Sequence, residues 1–186
     1  FDFLGRTIDT NSTFKHHIDK ISIKISRAIG ILNKLKNILP QNILITLYNS
    51  LILPHLNYGI LAWGSNTKRV FLLQKKAVRI ISKAKYNAHT SPLFKSLNLL
   101  TTYDIFQIQC LKFYCKFINN QLPVNLQTLE IQPVSETHDH DTRQSRNLQI
   151  PRGNTDLIKK SMKYSIPHVI NNLPTIVNEK VNTHSL

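Results

Sequence analysis

Acidic residues are scarce. The 186 residues hold 10 Asp and Glu against 24 Lys and Arg, and no acid falls between Asp19 and Asp104. A metal-dependent nucleotidyl-transfer centre needs at least two carboxylates converging on magnesium, because the ions clamp the attacking and leaving oxygens. The acids here are scattered (Asp2, Asp9, Asp19, Asp104, Glu130, Glu136, Asp139, Asp141, Asp156, Glu179), and no Asp-Asp pair follows a strand. No Gly-rich phosphate loop occurs among the 5 glycines. Neither Ser/His/Asp nor Cys/His catalysis has a local signature. The 2 cysteines, Cys110 and Cys115, stand five apart in an expected helix. That spacing puts them on different faces and argues against a local disulfide. Reduced, buried thiols fit an intracellular protein of the nucleus or cytoplasm. No segment has the roughly eighteen unbroken apolar residues of a membrane span, and no signal peptide opens the chain. The chain starts at Phe1 and its one methionine is Met162. A fragment, a processed product or an incomplete gene model is therefore expected.

What is abundant is positive charge. The net charge is +14, the pI about 10.0, and 41% of residues are apolar, enough for a core. The charge is uneven. Residues 1–120 carry 17 Lys and Arg against 4 acids, whereas residues 121–186 carry 7 against 6. Such a balance suits a polyanion, namely RNA, DNA or an anionic membrane surface, contacted along the first two thirds.

The stretch from Pro54 to Lys83 concentrates this pattern. An apolar, aromatic segment (Leu56, Tyr58, Ile60, Leu61, Trp63) ends at Gly64, and Thr67 is the expected N-cap of the next helix. At about 100° per residue, Lys68, Arg69, Lys75, Lys76, Arg79 and Lys83 share roughly a third of the circle. Val70, Leu73, Ala77, Val78, Ile80 and Ile81 take the other side. Solvated helix faces usually mix signs, because alternating charge gives i,i+4 pairs. No acid relieves the repulsion within this helix, so the face is read as a nucleic-acid contact.

Elsewhere the period is also helical. Phe14, Ile18, Ile21, Ile25, Ala28, Ile29, Leu32 and Leu35 predict an amphipathic helix started by Asn11, Ser12 and Thr13, with Lys20, Lys24, Arg27 and Lys34 along one flank. Gly30 lies off that stripe. Pro40 is expected to open a second helix that Pro54 stops or kinks. Ser91-Pro92 opens a short helix, and Thr101 with Asp104 is a capping-box variant before an apolar helix through Ile118. Residues 121–156 are loop-like, with a last helix over Asp156–Tyr164 limited by Pro167 and Pro174. Gly59 and Gly64 suggest a turn or a close backbone approach. A buried Trp63 is expected. His138-Asp139-His140-Asp141 lacks the cysteine partners and spacing of a zinc site and is read as a polar loop. His16-His17 begins a helix on adjacent faces and is a weaker metal candidate still, while His55 and His89 are read as structural or loop histidines.

The expected organisation is mainly α. Residues 1–12 form a short N-terminal strand and linker, 13–120 a helical bundle, and 121–186 a loop-rich tail with one or two short helices.

Several phrases, in order and over nearly the whole chain, carry a resemblance. FDFLGRTID, ISRAIGILNKLKNILP, LYNSLILPHLNYGILAWG, LQKKAVRIIS, HTSPLFKSLNLL and HDHDTRQSRNLQIPR resemble the C-terminal part of LINE-type (non-LTR) retrotransposon reverse transcriptases. Phe3, Leu4 and Gly5 match the FLG phrase of that family, Tyr58, Gly59 and Trp63 its YG…W phrase, and Gln74, Lys75 and Arg79 its QKKAxR phrase. The resemblance implies that the chain leaves the palm and forms a thumb-like helical domain gripping a primer-template duplex, followed by a tail. The palm, its paired aspartates and its magnesium would lie before Phe1, so no catalytic residue, no cofactor, no small-molecule substrate and no polymerase activity are expected of this chain alone. Lys20, Lys24, Arg27, Lys34 and the Lys68–Lys83 face would hold phosphates of an RNA–DNA or DNA duplex across its minor groove. Two other readings compete. One is a transposon relic acting at most as a structural or interaction module. The other is membrane-surface binding, for which the apolar face lacks an interfacial aromatic anchor.

Overall fold

A computed structural model describes residues 2–3, 6–7, 13–129, 131–136, 145 and 147–173. Helices dominate these residues, as the apolar periods predict. The chain divides into two compact units, Phe1–Phe106 and Gln107–Leu186. In place of one strand over Phe1 to Ile8, Asp2–Phe3 and Arg6–Thr7 pair antiparallel as β1 and β2, two residues each. Leu4, Gly5, Asn11 and Ser12 lie outside the described residues.

In the first unit, α1 (Lys15–Leu35) buries Ile18, Ile21, Ile25, Ala28, Ile29 and Leu32 along the expected stripe. Phe14 occupies its N-cap, and Thr13 Oγ1 accepts from Lys15 N at 3.4 Å. Pro40 caps α2 (Gln41–Leu51) from an extended position, one residue before the expected place. Pro54 does not end the helical path. It sits in the first turn of α3 (Leu53–Asn57), where its missing N–H costs nothing. The following apolar run folds as α4 (Ile60–Trp63), after a left-handed Gly59 with φ 62°. Gly64 follows, where a Cβ would overlap the Phe106 ring. The first glycine makes the turn and the second the close approach. Trp63 is 1% exposed, its Nε1 donates to Tyr58 O at 3.0 Å, and His17 meets it edge-on.

Then come α5 (Lys68–Ile81), α6 (Ser91–Ser96) and α7 (Thr102–Ile118), the last crossing the unit boundary. The capping box forms at α7. Asp104 Oδ2 accepts from Thr101 N at 2.9 Å, and Thr101 Oγ1 accepts from Asp104 N at 3.2 Å. Thr67 stands at the N-cap of α5 but makes no side-chain cap bond, because it is buried with near-helical dihedrals.

Gln74 ties three of these segments together. Its side chain is fully buried. Nε2 donates to Tyr48 Oη at 2.7 Å on α2 and to Leu100 O at 2.9 Å. Oε1 accepts from Thr102 N at 2.9 Å and Thr102 Oγ1 at 2.8 Å, at the start of α7. Two donors and two acceptor bonds use the whole capacity of the amide. Burial pushes the Tyr48 phenol up to about 12, partly offset by the bond from Gln74. Sequence matching had grouped Gln74 with Lys75 and Arg79, but its role is architectural.

In the second unit, Cys110 is buried on α7 and Cys115, five residues on, is half-buried; both are free thiols. Burial pushes the Cys110 thiol up to about 12. The tail contains α8 (Val124–Gln127), α9 (Asp156–Lys160) and α10 (Met162–Asn171). The single helix expected over Asp156–Tyr164 is thus broken at the extended Ser161, and Pro167 lies inside α10. Asn171 brackets Leu148, accepting from its N–H and donating to its carbonyl, both at 2.8 Å. This tail has more order than composition suggests. The His138–Asp141 cluster and Pro174 fall outside the described residues.

Gln74→Leu strands four hydrogen-bonding groups at about 1–3 kcal/mol each where no relaxation intervenes. We expect a loss of at least about 3 kcal/mol in urea unfolding, with Trp63→Ala costing about 3–5 kcal/mol. A Gln74→Leu protein as stable as the parent would show that the amide network does not hold the unit. The thiol and phenol shifts set a pH window. Both folded values lie above the ordinary 9.0 and 10.0. Their stabilisation is therefore complete below pH 9 and is lost as pH rises toward 12. At pH 8 a thiol reagent should modify Cys115 first, leaving Cys110 protected until alkali or urea exposes it.

Candidate nucleic-acid interface

The α5 helix buries Val70, Gln74, Ala77, Val78 and Ile81 and turns its cations outward. Lys68, Arg69, Lys76 and Lys83 are exposed, Lys75 and Arg79 half-buried. These six do not form one surface. Lys76, Arg79 and Lys83 meet Lys36, from the end of α1, around a groove of about 820 Å³ between α1 and α5. Its lining contains no Asp or Glu. Ser26, Gly30 and Asn33 of α1, with Asn37 just beyond it, supply one wall, and Leu72 and Ile80 an apolar floor.

The other expected residues go elsewhere. Lys75 Nζ sits 4.5 Å from the centre of the Phe71 ring and lines a separate hollow with Lys95 and Asp104. Arg69 is ion-paired with Asp19 of α1, so the absence of an acid within α5 did not leave that cation unrelieved. Both side chains are substantially exposed, and such pairs contribute about 0–1 kcal/mol. Lys20, Lys24 and Arg27 are exposed and line a hollow on the opposite flank of α1, with His55 and Tyr58. Burial, and then the nearby Lys24 ammonium, hold the His55 imidazole below its ordinary value. Arg27 also borders a cleft with Arg69 and Leu72. Lys34 and Lys68 are exposed and line neither the groove nor the Arg27 hollows.

Two backbone features shape the groove. Arg79 Nε donates to Ala88 O at 3.0 Å and ties the 82–90 loop to the helix. Lys83 ends α5 in the left-handed region, φ 51°. Ala84 N donates to Arg79 O at 3.0 Å and Lys83 N to Ile80 O at 3.2 Å, the paired bonds of a Schellman cap. Glycine usually fills that position, so a lysine there carries backbone strain in exchange for a cation at the groove.

Sequence reasoning missed Lys36, Leu72 and Tyr86. Lys36 follows the last turn of α1, where the wheel no longer predicts direction. Leu72 is 58% exposed within the basic arc, and its apolar character had left it off both faces. Tyr86 lies in a loop, which has no period. Among the described residues, no group of three His, Cys, Asp or Glu could hold a metal ion. Nor is any helix there long and apolar enough to cross a membrane. In comparisons with protein-family models, curated proteins and solved structures, nothing matches the chain.

Replacing Lys83 by Gly tests the strained cap. Thermal unfolding should show a gain of about 1 kcal/mol, the usual cost of a left-handed non-glycine residue. Polyanion affinity should fall, since a groove cation is removed. A variant that gains stability and keeps full affinity would make Lys83 a bystander.

Proposed function

We propose that the chain binds nucleic acid as the thumb-like part of an RNA-directed DNA polymerase of the non-LTR retrotransposon type. One observation carries the binding: Lys36, Lys76, Arg79 and Lys83 line one groove whose lining has no acid. Cations brought together without counter-charge repel one another, and a polyanion relieves that repulsion. The order of the resembling phrases supports the polymerase assignment. On this reading the palm with its magnesium-binding aspartates precedes Phe1, and this chain contributes grip rather than chemistry, in the nucleus or cytoplasm. The exposed Lys20, Lys24 and Arg27, on the other flank of α1, and the exposed Lys34 and Lys68 offer further phosphate contacts outside the groove. Such contacts go to phosphates, so recognition is largely independent of sequence, and an A-form RNA–DNA hybrid offers a shallow minor groove for them.

Salt dependence tests this. Four engaged cations give a slope of log affinity against log salt of roughly −3 to −4 for a duplex. Reversing Lys76 and Lys83 to Glu should weaken hybrid-duplex binding for all sequences alike and flatten the slope by about two. These two are the apt positions, since Lys75 packs on Phe71 and Arg79 holds the loop. The same reversal at Lys112 and Lys159, exposed in the second unit, should do much less. If it does more, or if anionic vesicles bind and duplexes do not, the assignment fails.

A further inference from the structure

Within the groove, phosphate contact does not account for one side chain. Tyr86 lines the groove and is 89% exposed. It is not at a loose tip. Ala88 N donates to Lys85 O at 3.0 Å, closing a turn around Tyr86, and Arg79 clamps the far end of that turn through Ala88 O. The backbone carrying the ring is thus fixed, and the ring stands in water at the groove that Lys76, Arg79 and Lys83 also line. An exposed aromatic ring in a groove lined by cations suits a ligand that offers a negative backbone and a flat π-face together.

A duplex does not offer that. Its bases are stacked and paired inside, and a protein at its exterior meets phosphate and sugar. An unpaired strand offers both. We infer that the α1–α5 groove takes a single-stranded segment of nucleic acid, with a base stacked on Tyr86 and the flanking phosphates on Lys36, Lys76 and Lys83. The inference rests on the reading that this face binds nucleic acid, and it names the form bound here.

Three further features fit. The groove volume, about 820 Å³, lies in the range of pockets that enclose a drug-sized molecule, about 300–1,000 Å³. That is room for a nucleotide or two inside the groove, whereas a duplex would meet only the cations at its rim. Gly30 stands on the α1 wall with no atom within 4 Å of where a Cβ would project, so the backbone there is open to close approach. Asn33 and Asn37 bring amides that donate and accept, which suit base edges in a way that lysines alone do not. Together these features make a mixed site: cations for the chain of phosphates, an aromatic face, and amides beside it.

The test compares three probes on the whole chain: uridine and deoxythymidine homopolymers of roughly twelve nucleotides, and a blunt RNA–DNA hybrid hairpin. Tyr86→Ala should lower single-strand affinity at least about fivefold, the low end for loss of one stacked base, and lower the ratio of single-strand to hairpin affinity by the same factor. Tyr86→Trp should restore it. Gly30→Leu places a side chain into open groove from an exposed helix position, so the protein should unfold no earlier than the parent while single-strand binding falls. A loss with either homopolymer supports the inference, and comparing the two shows whether the sugar matters. If Tyr86→Ala and Gly30→Leu change single-strand and hairpin affinity by equal factors, or not at all, the groove sees phosphate only. The single-strand site is then wrong while the basic interface stands. If the parent binds none of the three probes, both readings fall.

Discussion

The first unit depends on one buried amide. A glutamine in an apolar interior is costly unless each of its polar atoms is matched. Gln74 meets that demand only when α2, α5 and the start of α7 stand in one arrangement, because it lies on α5 and its partners come from the other two. The apolar side chains around it could slide and still be buried. The hydrogen bonds could not. The amide therefore supplies register where Ile, Leu and Val supply driving force, and it makes the three segments separate together rather than singly.

That constraint also orients the outer surface. With Gln74 fixed inward on α5, the helical period turns Lys76, Arg79 and Lys83 outward, toward the end of α1. The groove is the space left between two helices whose buried sides are satisfied elsewhere. Its charge follows from which residues the period exposes. Its aromatic rim follows from the Arg79 bond that draws the 82–90 loop back over the helix end. A side chain named for phosphate contact thus also builds the wall of the site.

The helices of the first unit were legible because apolar residues recur with the helical period over long spans, above all in α1 and α5. Local signals also spoke clearly where their chemistry is local: Thr101 with Asp104, Ser91-Pro92, and the paired glycines around α4. What could not be read is what depends on distant partners. Asp19 neutralises Arg69 from fifty residues away. Lys75 turns to Phe71 rather than to solvent, and a helical wheel records an angle but not a neighbour. The QKKAxR phrase sets Gln74 beside Lys75 and Arg79, and only its bonds to Tyr48 and Thr102 show its structural part. Pro167 signalled a helix end, yet it lies inside α10. The candidate site was half legible. Its cations on α5 were visible, whereas Lys36 and Tyr86 come from a helix end and a loop, where no period applies.

The imbalance of charge around α1 and α5 has a consequence for handling the molecule. Cations at the groove face one another without an acid in the lining, and their repulsion acts against the fold until something screens it. Dissolved salt screens it over about 10 Å at a tenth molar. The same ions compete with a polyanion for the groove. Ionic strength thus pulls in opposite directions, firming the empty protein while loosening its complex. If the groove binds nucleic acid as proposed, a preparation made in dilute buffer will carry it through its columns, and one made in strong brine will shed it and stay folded.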